Sequence, residues 1–116
     1  MKISHLIFAI ALICRTTHAQ MPNYQWAKSA GGNNHCEGRA TCTDLNGNVF
    51  ITGGFASPNI VFGTTTLSLS SPNSCDIYIT KYDGAGNILW AKNAGGVGLG
   101  AYGWNISADA NGNVFI

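Results

Sequence analysis

The sequence is poor in charge, because only 9% of its 116 residues are Asp, Glu, Lys or Arg, and the formal net charge is +1. Its six basic residues are scattered along the chain. Nucleic-acid-binding modules cluster Lys and Arg to displace phosphate counterions, so we exclude that function and expect no nucleic-acid partner. Beyond residue 19 no apolar run is long enough to cross a bilayer, and we expect no membrane span.

Residues that could carry catalysis are also few. Beyond residue 19 the only histidine is His35, next to Cys36 and Glu37, which invites a metal-site or nucleophile interpretation. Neighbours in an extended chain point to opposite sides, and a structural zinc site needs four converging ligands. No pair of carboxylates is marked as acid and base. We therefore interpret this segment as a polar loop and expect no enzyme activity, catalytic residue, cofactor or metal site.

The first nineteen residues have the pattern of a signal peptide. Lys2 gives a positive start, residues 6–13 form an unbroken apolar run, and Thr17 and Ala19 place small residues before Gln20. This pattern predicts a signal peptide over 1–19, cleavage before Gln20 and export to a secreted or cell-surface location. The alternatives are an N-terminal buried helix and a lipoprotein signal ending at Cys14, which the bulky Ile13 disfavours.

Export permits disulfides, and three cysteines remain after cleavage: Cys36, Cys42 and Cys75. An odd count leaves one over. Cys36 and Cys42 are near enough in sequence to close a short loop, so they are the candidate disulfide pair, with free thiols as the open alternative. We expect Cys75 to stay apart.

An internal repeat organises the rest of the chain. Residues 26–32 return as 90–96 with six of seven identical, and residues 44–51 return as 109–116 with seven of eight identical. The offsets are 64 and 65 residues, which makes chance similarity a poor explanation. We divide 20–116 into a first repeat, 26–89, and a partial second repeat, 90–116. We expect residues 20–116 to be an incomplete piece of a longer repeat region.

Turn motifs place the strands within the repeat. The pattern Asp-x-x-Gly-Asn begins at Asp44, Asp83 and Asp109, and Asn-Gly suits the positive φ of a two-residue hairpin turn. These turns predict hairpins of 39–43 with 48–54 and of 75–82 with 87–94, and a lesser hairpin over 60–69. The Asp-x-Asn-Gly-Asn form also resembles the start of a calcium loop, but it lacks the later bidentate carboxylate, and turn formation explains the same residues.

Apolar residues occupy both odd and even positions in 48–52 and 76–82, so both faces of the sheet must be buried against other parts of the protein. We therefore predict an all-β fold of β-propeller blades, each of four antiparallel strands, with about one and a half blades here. A β-solenoid has a shorter repeat and a β-sandwich a longer unit. Residues 23–30 are expected to close the ring with blades missing at the C-terminus. Trp26 and Trp90 are expected to pack between blades, the alternative being a sugar-stacking platform.

The combination of residues 26–32, 44–55, 62–63 and 76–90 resembles the SBBP repeat, a seven-bladed β-propeller family of secreted and surface proteins of bacteria such as Bacteroidetes. The resemblance implies a propeller, an extracellular setting and often a sorting domain for type IX secretion, but no established activity. The chain departs from the family at Cys36 and Cys42, where the second repeat has Ala101 and Ser107, so any bond between them is a local addition and not part of the blade.

Our leading hypothesis is therefore a secreted or surface-displayed propeller that serves as a non-catalytic binding or adhesion scaffold for an unknown protein or glycan ligand. The alternative is an accessory propeller of a secreted hydrolase or lyase whose catalytic domain lies elsewhere. The full-length gene distinguishes the two hypotheses.

Overall fold

The computed structural model describes residues 23–98 and 100–116, so the predicted signal peptide lies outside the described residues. The described part contains strands, turns and irregular segments and no helix, which confirms the predicted all-β class. In chain order the strands are β1 (Ala30–Gly31), β2 (Cys36–Thr43), β3 (Val49–Phe55), β4 (Asn59–Phe62), β5 (Thr65–Ser68), β6 (Asp76–Tyr82), β7 (Ile88–Ala94), β8 (Ser107–Ala108) and β9 (Val114–Phe115).

The main body is a four-stranded antiparallel sheet in the order β2-β3-β6-β7. Both predicted hairpins are confirmed, and so is the lesser one, which forms β4 and β5. A bulge between Gly38 and Ala40 interrupts the pairing of β2 with β3. Four antiparallel strands that pair in chain order are the arrangement predicted for a propeller blade, and here the β4–β5 hairpin is inserted between the second and third of them.

One face of the sheet is covered, and the other is covered over β3 but only half-buried at Ile77 and Ile79 of β6, so the cover that the sequence predicted on both faces is partial. One face packs against the β4–β5 hairpin and forms a core of five buried side chains: Phe55, Ile60, Phe62, Leu67 and Tyr78. On the other face Phe50 and Thr52 are fully buried. Residues 101–106, which lead into β8, cross this second face: Ala101 N–H donates to Cys75 O and Gly103 N–H to Gly53 O.

The second repeat contains the turn end of the same hairpin as the first. Ser107 pairs with Phe115 and Ala108 with Val114, while 65 residues earlier Cys42 pairs with Phe50 and Thr43 with Val49. The registers are therefore identical at the offset found in the sequence. Local sequence and turn geometry are sufficient to set this register in both copies.

The candidate disulfide of Cys36 and Cys42 is wrong for this fold. Both residues lie on the single strand β2, and all three cysteines are free thiols in the described part of the chain. Six residues of extended strand separate their Cα atoms by about 20 Å, whereas a disulfide requires Cα atoms within about 7 Å. The segment that was expected to form a short loop is a strand.

The Trp26 segment has little regular structure. Only Ala30–Gly31 forms a strand, β1, and it pairs with β4 at the edge of the small sheet β1-β4-β5. Residues 23–29 are not in a strand. The expected ring-closing role of residues 23–30 stays a prediction.

Candidate functional site

The three Asp-x-x-Gly-Asn turns have one common structure. In the first, Asp44 Oδ1 accepts the N–H groups of Asn46 and Asn48, at 2.9 and 3.0 Å, and Asp44 Oδ2 accepts Asn48 Nδ2 at 2.7 Å. Asp83 and Asp109 repeat these three bonds with lengths of 2.8 to 2.9 Å and 2.7 to 2.9 Å. The carboxylates that resembled calcium ligands are therefore directed into their own turns.

The turn type differs from the two-residue turn that the Asn-Gly pair predicted. Gly47 N–H donates to Asp44 O, and only Gly47 has a positive φ, of 77°. This is a three-residue connection, a type I turn followed by a left-handed glycine. The asparagine before the glycine is not required for φ, which explains why the corresponding residue in the second turn is Ala85.

Hydrogen bonding sets the electrostatics of these turns. The side chain of Asn48 holds the pKa of Asp44 below its usual value, and the backbone N–H groups of the turn act in the same direction. Asn87 and Asn113 lower the pKa of Asp83 and Asp109 in the same way. Lys81 Nζ lies 3.5 Å from Asp44 Oδ2 and adds to the effect there. A carboxylate that accepts several N–H bonds is stabilised in its charged form, so these residues are suited to holding turns.

Asp76 is a fully buried carboxylate at the start of β6. Its Oδ2 accepts Ser70 N–H at 2.9 Å, Ser70 Oγ at 2.6 Å and Asn93 Nδ2 at 2.7 Å. Its Oδ1 has no hydrogen-bond partner in the described part of the chain and lies against Gly95, where a Cβ would collide with it. Asp76 therefore ties β6, β7 and the segment after β5 together. Within the described residues no three His, Cys, Asp or Glu side chains gather where they could share a metal ion.

Trp26 lies on the Asp83–Asn87 turn. Its indole Nε1 donates to Gly84 O at 3.2 Å, its ring centroid is 5.6 Å from that of Tyr82, and a Cβ on Gly86 would collide with the ring. One face of this tryptophan is thus occupied by packing. Trp90, its counterpart in β7, lies 6.1 Å from Phe50 between ring centroids, on the face that the second repeat crosses.

A cluster of charged and aromatic side chains lies beside the bulge of β2. Arg39 Nε donates to Glu37 Oε1 at 2.6 Å, and its guanidinium lies 3.7 Å from the centroid of the Trp104 ring and 5.0 Å from that of Tyr102. The rings of Tyr102 and Trp104 are 6.4 Å apart. We call Glu37, Arg39, Tyr102 and Trp104 the Arg39 cluster. A guanidinium over an aromatic face is an attractive arrangement, strongest with Trp.

The cluster is held in place by the two repeats. Tyr102 packs against Gly54, where a Cβ would collide with its ring, and Gly103 N–H donates to Gly53 O at 3.2 Å. A hydrogen bond to the Cys75 thiol raises the pKa of the Tyr102 phenol. Trp104 is nevertheless 71% exposed. Its indole is presented to solvent from a fixed backbone.

His35, Cys36 and Glu37 are the candidate residues that the sequence suggests, and it gives no local indication of the Arg39 cluster. His35 Nε2 lies 3.7 Å from Glu37 Oε2 and is not joined by Cys36, whose thiol packs on the core face. The 65-residue offset contained the missing signal, because it aligns Arg39 with Trp104 and Glu37 with Tyr102. At this offset residues 33–43 and 98–108 share only Gly38 and Gly103, so the segment that contains these positions varies between motifs that are nearly identical.

Comparison with known proteins gives one curated relative, a WD repeat-containing protein of Acanthamoeba polyphaga mimivirus. It is 31% identical over 98 residues, which is 81% of this chain, while the match spans 7% of the relative's length. WD repeats form four-stranded propeller blades, so this similarity and the four-stranded sheet agree on a propeller-like repeat protein. No family model and no solved structure matches the chain. No helix in the described ranges is long and apolar enough to cross a membrane.

Proposed function

We propose that the chain is an exported, non-catalytic propeller repeat protein that serves as a binding scaffold at the cell surface or outside the cell. One observation carries this proposal: the repeat keeps its framework residues but has the exposed Tyr102 and Trp104 in the second copy where the first has the half-buried Glu37 and Arg39. A constant frame with a variable exposed surface suits recognition. Trp, Tyr and Arg are also the residues that most often dominate binding energy.

The export and family parts of the proposal come from the sequence. The leader over 1–19 supports export, and the motifs of 26–32, 44–55 and 76–90 support membership of the SBBP repeat group, with type IX secretion as the associated route. N-terminal sequencing of the exported product should begin at Gln20. An intact leader on protein retained in the cytoplasm would contradict export.

The binding part is tested with the purified chain against a panel of extracellular proteins and polysaccharides. We expect binding that falls about tenfold or more in the double variant Arg39→Ala with Trp104→Ala. Leu89→Ala is the matched control, because Leu89 is also a large exposed side chain, 52% exposed, but lies on β7 away from the cluster.

Mass spectrometry of the bound compound checks the absence of catalysis, since a scaffold returns it unchanged. Turnover of any panel compound would favour an enzyme. Binding that is equal in the double variant and in the wild type would show that the Arg39 cluster is not the recognition surface.

A further inference from the structure

A groove of about 590 Å³ lies at one end of the four-stranded sheet, and we propose that it binds an extended, uncharged peptide segment with an apolar side chain. Three loops form this groove: the loop before β2, the loop between β3 and β4, and the loop between β5 and β6. The residues that carry the argument are Asn34, Ala56, Pro58, Leu69, Pro72 and Asn73. None of them belongs to the Arg39 cluster, so the inference goes beyond the proposed recognition surface.

The position of the groove follows from the register of the sheet. Cys36 pairs with Phe55 and Phe55 pairs with Asp76, so the loops next to these residues meet at the same end of the sheet. The Asp44 and Asp83 turns lie at the opposite end, because they join β2 to β3 and β6 to β7. Loops that a rigid sheet brings together are common places for binding sites.

Hydrogen bonds between the loops fix the shape of the groove. Ala56 N–H donates to His35 O at 2.8 Å and joins the first two loops. Leu69 N–H donates to Pro58 O at 3.0 Å and joins the second loop to the third. Two prolines, whose φ angles are set by their rings, also line the groove. Binding should therefore order few protein groups, which lowers its entropic cost.

The lining of the groove selects for an uncharged ligand. None of the described residues that line it is charged or aromatic. A charged ligand would lose hydration there without gaining an opposite charge, and a flat ring would find no aromatic face to stack on. Pro58, Leu69 and Pro72 instead offer apolar surface that suits an aliphatic side chain. The volume is within the range of small-ligand sites, which commonly join apolar walls to a few polar groups.

Asn73 supplies the polar group that favours a peptide. It is the one non-glycine residue with a positive φ, 59°, in the described ranges, and asparagine tolerates that conformation better than most residues. Nearby Ser70 and Ser74 bond to Asp76 and Ser71, whereas the exposed Asn73 amide bonds to none of the described residues. A primary amide has donor and acceptor atoms in one plane, so it can bond to both the C=O and the N–H of a ligand backbone.

Selection of a displayed library of random hexapeptides on the immobilised full chain tests the inference. We expect the enriched peptides to be uncharged and to contain an aliphatic residue. The most enriched peptide, synthesised with blocked ends, should shift the NMR signals of the Ala56, Leu69 and Asn73 amides. Asn73→Gly should lower its affinity about threefold to tenfold, the contribution of one hydrogen bond, because glycine keeps the positive φ but lacks the amide.

Two further variants provide the controls. Asn46→Gly makes the same change in an exposed turn at the other end of the sheet and should bind the peptide within about twofold of the wild type. The double variant Arg39→Ala with Trp104→Ala should also bind it as the wild type does, because the groove is separate from the Arg39 cluster.

Three results would overturn the inference: no peptide is enriched, the enriched peptides are charged, or Asn73→Gly binds them as tightly as the wild type. If peptide affinity falls in the double variant and not in Asn73→Gly, the peptide binds at the Arg39 cluster, so the groove inference is wrong while the scaffold proposal stands. The scaffold proposal fails separately, when no compound of its own panel depends on Arg39 and Trp104.

Discussion

Residues 26–32 and 90–96 share six of seven amino acids but have different structures. The second copy begins within β7, which runs from Ile88 to Ala94 and pairs with β6. The first copy has only Ala30–Gly31 in a strand, and its partner is β4. Because the sequences are nearly the same, the difference comes from the neighbouring backbone. Strand formation depends on a partner more than on local preference.

The two glycines that end each copy also differ in their surroundings. In the first copy the second glycine is crowded, and in the second copy the first glycine is crowded. A Cβ on Gly95 would collide with Asp76, while one on the equivalent Gly31 would meet nothing within 4 Å. A Cβ on Gly32 would collide with Asn59 O and Ser57, while one on Gly96 would meet nothing within 4 Å. Each glycine pair is therefore identical in sequence and opposite in packing.

The largest expected effect is in Gly95→Ala compared with Gly31→Ala. The methyl group at 95 must displace the buried Asp76 carboxylate and its hydrogen bonds, so we expect a loss of about 2–4 kcal/mol in the free energy of unfolding. At Gly31 the methyl group enters open space, and the change should stay within about 0.5 kcal/mol. Urea unfolding followed by circular dichroism measures both.

Hydrogen exchange identifies the cause of the loss. In Gly95→Ala we expect faster exchange at the start of β6, near Asp76, whereas Gly31→Ala should leave β6 unchanged. Equal losses in the two variants would contradict the assigned contact between Gly95 and Asp76.

The next largest effect separates the cost of placing alanine at a positive φ from the cost of displacing the Trp26 ring. Gly47 and Gly86 have almost the same positive φ, 77° and 81°, but only at Gly86 would a Cβ collide with the Trp26 ring. Alanine should cost about 1–2 kcal/mol at either position because of its φ. At Gly86 the displaced tryptophan should add about 1–2 kcal/mol.

The free energies of unfolding of Gly86→Ala and Gly47→Ala give this difference directly. Each change is then combined with Trp26→Ala. In that background the extra loss of unfolding free energy in Gly86→Ala should disappear, because there is no tryptophan ring to displace. If that cost persists without Trp26, the Trp26 segment does not rest on this turn.

The smallest effect concerns the pH dependence of the Asp83–Asn87 turn, on which Trp26 lies and from which β7 begins. The pKa of Asp83 is lowered in the folded chain, so its carboxylate contributes stability above its unfolded pKa of about 3.9, and this contribution is lost as the pH falls through the folded value. Asn87→Ala removes the strongest cause of the lowering, so the pKa of Asp83 should rise.

An NMR titration of the Asp83 carboxyl measures that rise. The stability difference between Asn87→Ala and the wild type should be present at pH 7 and should shrink as the pH falls from the unfolded pKa of Asp83 through its lowered folded pKa. Asn46→Ala is the control for the corresponding turn, because Ala85 already occupies that position in the second turn, and the pKa of Asp44 should stay where it is. A difference in the Asn87→Ala variant that grows towards acid pH would contradict the sign.

Several features followed from residues alone. Apolar residues at both odd and even positions of β3 and β6 predicted cover on both faces of the sheet, which is partial in the structure, and the three Asp-x-x-Gly-Asn motifs predicted the hairpins and their order. The candidate site was harder to predict from the sequence, because Arg39 contacts Trp104, which is 65 positions away in the chain. The residue types around His35 and Cys36 suggested a metal or nucleophile site, although these side chains do not converge in the structure.

The sequence by itself determined the repeat, the positions of the turns and the alternation of the strand residues, since these depend on periodicity and on hydrogen bonds between residues within four positions of each other. Only the tertiary structure decided that Cys36 and Cys42 lie on one extended strand and that 26–32 and 90–96 differ. It also decided that Trp104 stacks on Arg39 with its indole exposed. These features depend on which backbone lies beside which, and that pairing is fixed by long-range packing rather than by any local stretch of residues.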